Sequence, residues 1–303
     1  MEIRIDRSWI LAMLRLMSIL TIQSHVSYGH VGNAAAVFPL QRLGYEVWPV
    51  NTVLFSNHAG YPTVKGPVLP AQDVADVIQG IGERNVFSSC EAILSGYLGS
   101  VELGEVVLSA VKQVQEANNS ALYCCDPVMG DRGKDIYVHP DIPDFIGREV
   151  LPKADILIPN HFELETLSGS SLTTTSDIVS ATCKLIEVGP DVVIVTSVET
   201  STDDPDTISM LAVSKDKVFK VQTPKLPFDI QPSGSGDLSA ALYLAHYLKC
   251  KKVDQALAQM VASVYSLLHE TLAMKSEEIV LVKAQDMISE PRFKFDVQEL
   301  SVS

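Results

Sequence analysis

Short apolar, β-branched runs alternate with runs of helical periodicity along nearly the whole 303-residue chain. A strand covered on both faces reads as a continuous apolar run, whereas a helix packed on a sheet repeats its apolar residues at three- and four-residue spacing. On that basis the pattern predicts strands over residues 18–23, 45–53, 92–94, 121–125, 154–158 and 192–195. It predicts helices over 34–43, 71–81, 101–117, 177–188, 238–249 and 253–271, with one more opening after Asn160 and a paired ribbon at 207–213 and 217–222. Such alternation leaves few architectures: a doubly wound α/β domain, its central sheet mostly parallel, with helices on both faces. No repeat, low-complexity block or linker divides residues 17–303. Residues 201–206 read as a solvated acidic hairpin end and the tail from 291 as polar and peripheral.

Residues 1–16 stand apart as an extension that the pattern leaves undefined. Their apolar stretch, 9–14, is too short to cross a bilayer. Glu2 and Asp6 oppose a transit peptide, and no small-residue cleavage site follows. A net charge of −14 argues against nucleic acid and anionic membranes as partners. Nucleotides stay open, because a divalent cation neutralises phosphates where basic residues are few. Cys90, Cys124, Cys125, Cys183 and Cys250 are odd in number and lack C-x-x-C spacing. Reduced, partly buried thiols are the expectation, and with them a reducing, cytoplasmic setting.

Ligands of open parallel sheets bind beyond the carboxyl ends of the strands, so the loops there carry the chemistry. The stretch the chain is organised around is Pro232-Ser233-Gly234-Ser235-Gly236-Asp237. Glycines ahead of a helix let an anion approach backbone N–H groups that the helix leaves unpaired. Asp237 would repel a phosphate held there, and makes sense as the acceptor of a proton from an attacking hydroxyl. Taken alone, the same residues also suit a glycine-rich turn closed by an aspartate cap. Asp126-Pro127-Val128-Met129-Gly130-Asp131 ends a strand with two carboxylates, suited to a metal near phosphates and equally to a turn. Asn160 and Glu163 read as a helix cap or as nucleotide contacts. Thr196 and Ser197 offer hydroxyls at another strand end, Tyr97 lies between Gly96 and Gly99, and His58 sits in a polar loop after residue 55. Neither G-x-G-x-x-G nor G-x-x-x-x-G-K-[ST] occurs, which removes the ordinary dinucleotide and P-loop fingerprints.

Several loops together resemble one family. Ser24-His25-Val26 with Gly29, Gly32 and Asn33, and Asn51-Thr52-Val53 with Phe55-Ser56-Asn57-His58, are similar to the substrate half of the pyridoxal kinases. Cys125 to Asp131, Pro159-Asn160 with Phe162-Glu163, Thr196-Ser197 and Gly234-Ser235-Gly236-Asp237 resemble the nucleotide half, in register from about Met17 to Leu281. The resemblance implies a ribokinase-like fold and a cytosolic homodimer. It implies transfer of phosphate from Mg-ATP to the 5′-hydroxymethyl group of pyridoxal, pyridoxine or pyridoxamine, often aided by a monovalent cation such as K+. Carried over by motif, Asp237 is the catalytic base, and Gly234, Ser235 and Gly236 are the anion hole. Ser24, Val31, Thr52, Tyr97 and Asp237 hold the vitamer; Asp126, Asn160, Glu163, Thr196 and Ser197 face ATP; Asp126, Asp131 and Glu163 face the metal. The loop after Asp131 is shorter than in animal relatives, and Ile158 stands where some relatives carry Thr near the monovalent cation. The competing expectations are a hydroxymethylpyrimidine or sugar kinase with the same G-x-G-D chemistry, and a silent vitamin-binding protein.

Overall fold

The computed structural model describes residues 17–132 and 136–301. The expected extension at 1–16 and the middle of the loop after Asp131 lie outside the described residues. β1 (Ser18–Val26) leads to α1 (Asn33–Arg42), β2 (Glu46–Phe55) and α2 (Ala71–Gly82). β3 (Cys90–Ser95), α3 (Val101–Ala117) and β4 (Leu122–Cys125) follow. A short helix α4 (Ile142–Phe145), continued by a π-helical turn over Ile146–Val150, precedes β5 (Ile156–Leu157), α5 (His161–Ser168), α6 (Thr175–Ile186) and β6 (Val192–Val198). The chain ends with β7 (Thr207–Ser214), β8 (Val218–Pro224), α7 (Ser235–Cys250), α8 (Val253–Ala273), α9 (Asp286–Ser289) and β9 (Gln298–Leu300).

Among the described residues nine strands join one sheet in the order β2-β1-β3-β4-β5-β6-β7-β8-β9. β1 to β6 run parallel, and β7 to β9 add an antiparallel edge. Side chains alternate across the pleat. Ile19, Leu94 and Ile194 pack with α1, α7 and α8 on one face, while Leu20, Ile93 and Val193 pack with α2, α3 and α6 on the other. Helix α7 is buried nearly all round, from Leu238 to Ala245. Each fully buried leucine there contributes about 1.5–3 kcal/mol. Its N-terminus is therefore held at a fixed place beside the sheet.

Three expectations change. The tail from 291 is not peripheral: Phe293 and Phe295 pack edge-on against Tyr265, and Gln298–Leu300 pairs with β8. These few aromatics in a polar stretch carry no periodicity, and only the neighbouring helix gives them a partner. The 201–206 turn is not wholly solvated, since Asp203 pairs with the largely buried Lys220 at 2.5 Å. Helix α4 lies where no helix is expected, being too short to show a period. No helix among the described residues is long and apolar enough to cross a membrane. All five cysteines are free thiols.

Candidate active site

Because β1 to β6 are parallel, their carboxyl ends share one edge of the sheet. Ser24, Tyr97, Asp126, Asn160 and Thr196 stand at or just beyond the ends of β1, β3, β4, β5 and β6. Chain segments more than a hundred residues apart thus meet along one line.

The G-S-G-D stretch enters its helix earlier than periodicity suggests. α7 starts at Ser235, with Gly234 as the cap at φ 90°, in the left-handed region. The first amide bonded within the helix is that of Leu238, which donates to Gly234 O at 3.0 Å. The amides of Ser235 and Gly236 thus belong to the unladdered first turn, where an anion is favoured. Gly234 lies against the backbone carbonyl of His30 and the Cα of Val31, in the loop after β1.

Asp237 is half-buried, yet protein atoms surround its carboxyl closely enough that desolvation pushes its pKa up to about 6. Its own amide and that of Gly32 donate to it and oppose that rise. His25 and Gly32 form an isolated antiparallel bridge that folds the 24–32 loop back on itself. Ser24, Val31 and Asp237 are accordingly brought together at one loop.

On the other side stand the carboxylates. Asp126 is buried, and its carboxyl is held well above the usual range, first by burial and then by the charges of Glu163, Asp237 and Asp131. Glu163, 3% exposed, rises to about 8 through burial, opposed by hydrogen bonds from the amides of Asn160 and Met129. Tyr137, half exposed, has its phenol pushed up first by burial and then by Asp131, Glu163, Asp126 and Asp237. This concentration of acid oxygen suits a hard divalent cation. Among the described residues no three His, Cys, Asp or Glu side chains are grouped closely enough to hold a metal by themselves. The expected trio Asp126, Asp131 and Glu163 is therefore not a closed cage. Both oxygens of Glu163 already accept backbone N–H groups, from Met129 at 2.9 Å and Asn160 at 2.8 Å. Such a donor set fits Mg2+, which keeps several waters and shares its coordination with phosphates.

The remaining expected contacts divide. Asn160 and Glu163 form a reciprocal capping box on α5. The Asn160 amide donates to Gly130 O at 2.8 Å and its oxygen accepts the Glu163 amide at 2.8 Å, so the side chain clamps the Asp126–Asp131 loop. Thr196 bridges to Asn160 in parallel and is largely buried; Ser197 is exposed at φ 54° in the bulge of β6. Thr52 is fully buried within β2, its hydroxyl unpaired, and does not line an open surface. Tyr97 is half-buried beyond β3, and burial raises its phenol pKa.

Sequence reasoning gave no role to some groups at this edge. Asn33 ties α1 to β2 through Val50 O at 3.0 Å and Asn51 Oδ1 at 2.8 Å. Tyr137 is unmarked in a polar stretch. Glu278 lies 41 residues beyond Asp237 and has no local motif, but it contacts His30, His58 and Tyr61. His58 thus serves a hydrogen-bonded loop cluster, and nothing brings it to Asp237.

Comparison with known proteins agrees with this geometry. A family profile described as phosphomethylpyrimidine kinase matches residues 63–281. Pyridoxal kinase PdxY of Rubrobacter xylanophilus is 49% identical over 286 residues, covering 94% of this chain and 98% of the relative. That of Leifsonia xyli is 46% identical, covering 94% of this chain and 100% of the relative. Pyridoxal kinase from Leishmania donovani in complex with ADP and pyridoxamine superposes with a TM-score of 0.87 at 28% identity, covering 94% of this chain and 99% of that one. With the ribokinase-like sheet and near full-length identity in agreement, the chain belongs to the pyridoxal kinase family.

Proposed function

We propose that this protein phosphorylates the 5′-hydroxymethyl group of pyridoxal, and of pyridoxine and pyridoxamine, with ATP as donor, giving ADP and the 5′-phosphate of each vitamer, pyridoxal 5′-phosphate from pyridoxal, in vitamin B6 salvage. The observation that carries the reading is the position of Asp237. It heads α7 beside Gly234 and Gly236, accepts the Gly32 amide from the 24–32 loop, and shares its field with Asp126. One carboxylate thus stands between the loop of the alcohol and the residues of the nucleotide. In phosphoryl transfer the protein aligns the partners and neutralises charge, and the attacking hydroxyl has to give up its proton. Asp237 takes that proton, while the amides of Ser235 and Gly236 receive the charge gathering on the transferred group.

Mg2+, when bound, would supply positive charge that offsets the charge of the phosphates. Asp126 would hold it, with Asp131 and Glu163 acting on its waters. Asp126→Asn is expected to raise the Mg2+ concentration giving half-maximal rate about tenfold, and a chelator to abolish ADP release. A monovalent cation such as K+ is the reading's optional ion. A homodimer is consistent with the edge position of β2, where Leu54 and the neighbouring Val68 are exposed. Free thiols are consistent with a cytoplasmic setting.

An acid whose pKa lies near 6 is neutral below that pH and ionised above it, and only the ionised form accepts a proton. The kcat/KM for pyridoxal is therefore expected to be flat above about pH 7 and to fall about tenfold per pH unit well below about 6. The test of the whole reading is ADP release with pyridoxal, pyridoxine, pyridoxamine, hydroxymethylpyrimidine and ribose, with and without Mg2+. Turnover on the B6 vitamers is expected. Preference for hydroxymethylpyrimidine or ribose would replace the substrate, and no ADP with any alcohol would leave a binding protein.

A further inference from the structure

Glu278 follows α8 in a segment anchored by the buried Ile279 and Leu281, and is itself 9% exposed. Its Oε1 accepts a hydrogen bond from Tyr61 Oη at 2.7 Å and lies 3.2 Å from His58 Nε2. Its Oε2 accepts the backbone N–H of His30 at 3.2 Å. The Gly60 amide donates to His58 Nδ1 at 3.1 Å, which leaves the ring proton on Nε2, where it points to the carboxylate. The Tyr61 ring packs on His58 with centroids 4.6 Å apart and meets Tyr28 edge-on at 6.0 Å.

A single carboxylate thus gathers donors from two loops that leave adjacent strands, 24–32 after β1 and 56–66 after β2. The loops also touch directly, Ser27 N donating to Phe55 O at 2.9 Å and Tyr28 N to Ser56 O at 2.8 Å. Loop 56–66 is otherwise bonded within itself, through Ser56 N to Lys65 O and Asn57 Nδ2 to Thr63 O. His30 completes the connection: its amide is held by Glu278 and its carbonyl lies against Gly234. A chain of contacts therefore runs from the segment after α8, through His30, to the anion loop. None of the bonds described for Glu278 reaches Asp126, Asn160, Glu163 or Thr196.

We propose that Glu278 is a positioning residue for the alcohol substrate, latching the 24–32 and 56–66 loops together over the acceptor end of the site and seating His30 against the anion loop. The inference rests on reading those loops as walls of the vitamer pocket. A carboxylate is suited to this work because it accepts from several neutral donors at once, each bond strengthened by its charge. An amide in its place turns one donor toward another.

The test uses Glu278→Ala, Glu278→Gln and Tyr61→Phe, the last removing a single hydroxyl. Steady-state rates give separate KM values for pyridoxal and ATP. Trypsin cleavage after the exposed Lys65, followed by mass spectrometry on folded protein, reports loop opening without any turnover. Glu278→Ala is expected to raise the pyridoxal KM about tenfold or more, with the ATP KM within about twofold, and to speed cleavage after Lys65 about tenfold. Glu278→Gln should fall between it and the native enzyme, and Tyr61→Phe should move both readouts in the same direction by a few-fold. Equal rises in both KM values, or an unchanged pyridoxal KM, overturn the positioning role. Unchanged cleavage in Glu278→Ala and Tyr61→Phe, with melting temperatures intact, overturns the latch. Should the native protein phosphorylate no B6 vitamer, the substrate reading falls separately, and the cleavage arm decides the latch by itself.

Discussion

Replacing Asp237 with Asn is expected to lower kcat for pyridoxal at least ~10²-fold while leaving the KM for ATP little changed, the pattern of a lost proton acceptor. Asn keeps the size of the side chain and still accepts the Gly32 amide through its oxygen, so the 24–32 loop keeps its anchor. The substitution also relieves Asp126, whose carboxyl is raised partly by the charge of Asp237. The apo variant should consequently melt no lower than the native protein. The combination of a poor rate and intact stability separates catalytic from structural loss. A variant turning over within a few-fold of native would remove Asp237 from the reaction.

Gly234→Ala should be nearly as damaging for a different reason. Gly234 has φ 90°, and a β-carbon there would overlap the carbonyl oxygen of His30. Left-handed backbone alone costs a non-glycine residue roughly 1–2 kcal/mol. The overlap adds a displacement of the 24–32 loop away from the head of α7, where the proposed reaction would align the alcohol and the phosphate. A misplacement of about 1 Å at such a point can cost ~10²-fold in rate, and that is the expected drop in kcat/KM. Gly44→Ala is the control, because Gly44 has φ 93° but nothing within 4 Å of the added carbon. It should lose stability by a similar backbone cost and keep its activity. Parallel losses of activity in the two variants would show that strain alone, and not the His30 contact, accounts for the effect at Gly234.

Much of this chain is legible without coordinates where the signal is local. Helix 101–117 has its observed bounds already in its pattern, and the Asn160–Glu163 cap is visible as two residue types at the right spacing. The G-S-G-D stretch announces a helix head, although the helix begins at Ser235 and not at Leu238, because a first turn holds few apolar residues to show a period. Thr52 illustrates the limit of a motif. Its place in a matching block suggests a ring contact, while its burial inside β2 leaves the hydroxyl without an open face.

The sequence by itself determined the parallel α/β architecture and the family, and it marked the G-S-G-D stretch and the acidic strand ends as candidates, because each is written in spacing a few residues long. Tertiary structure alone decided that Glu163 spends its oxygens on backbone amides, that the tail beyond 291 joins the sheet, and that Glu278 binds two loops some 220 to 248 residues earlier. The physical reason is that a hydrogen-bond partner depends on distance in space. A carboxylate without a local motif carries no sign in the sequence of which donors the folded sheet will bring to it.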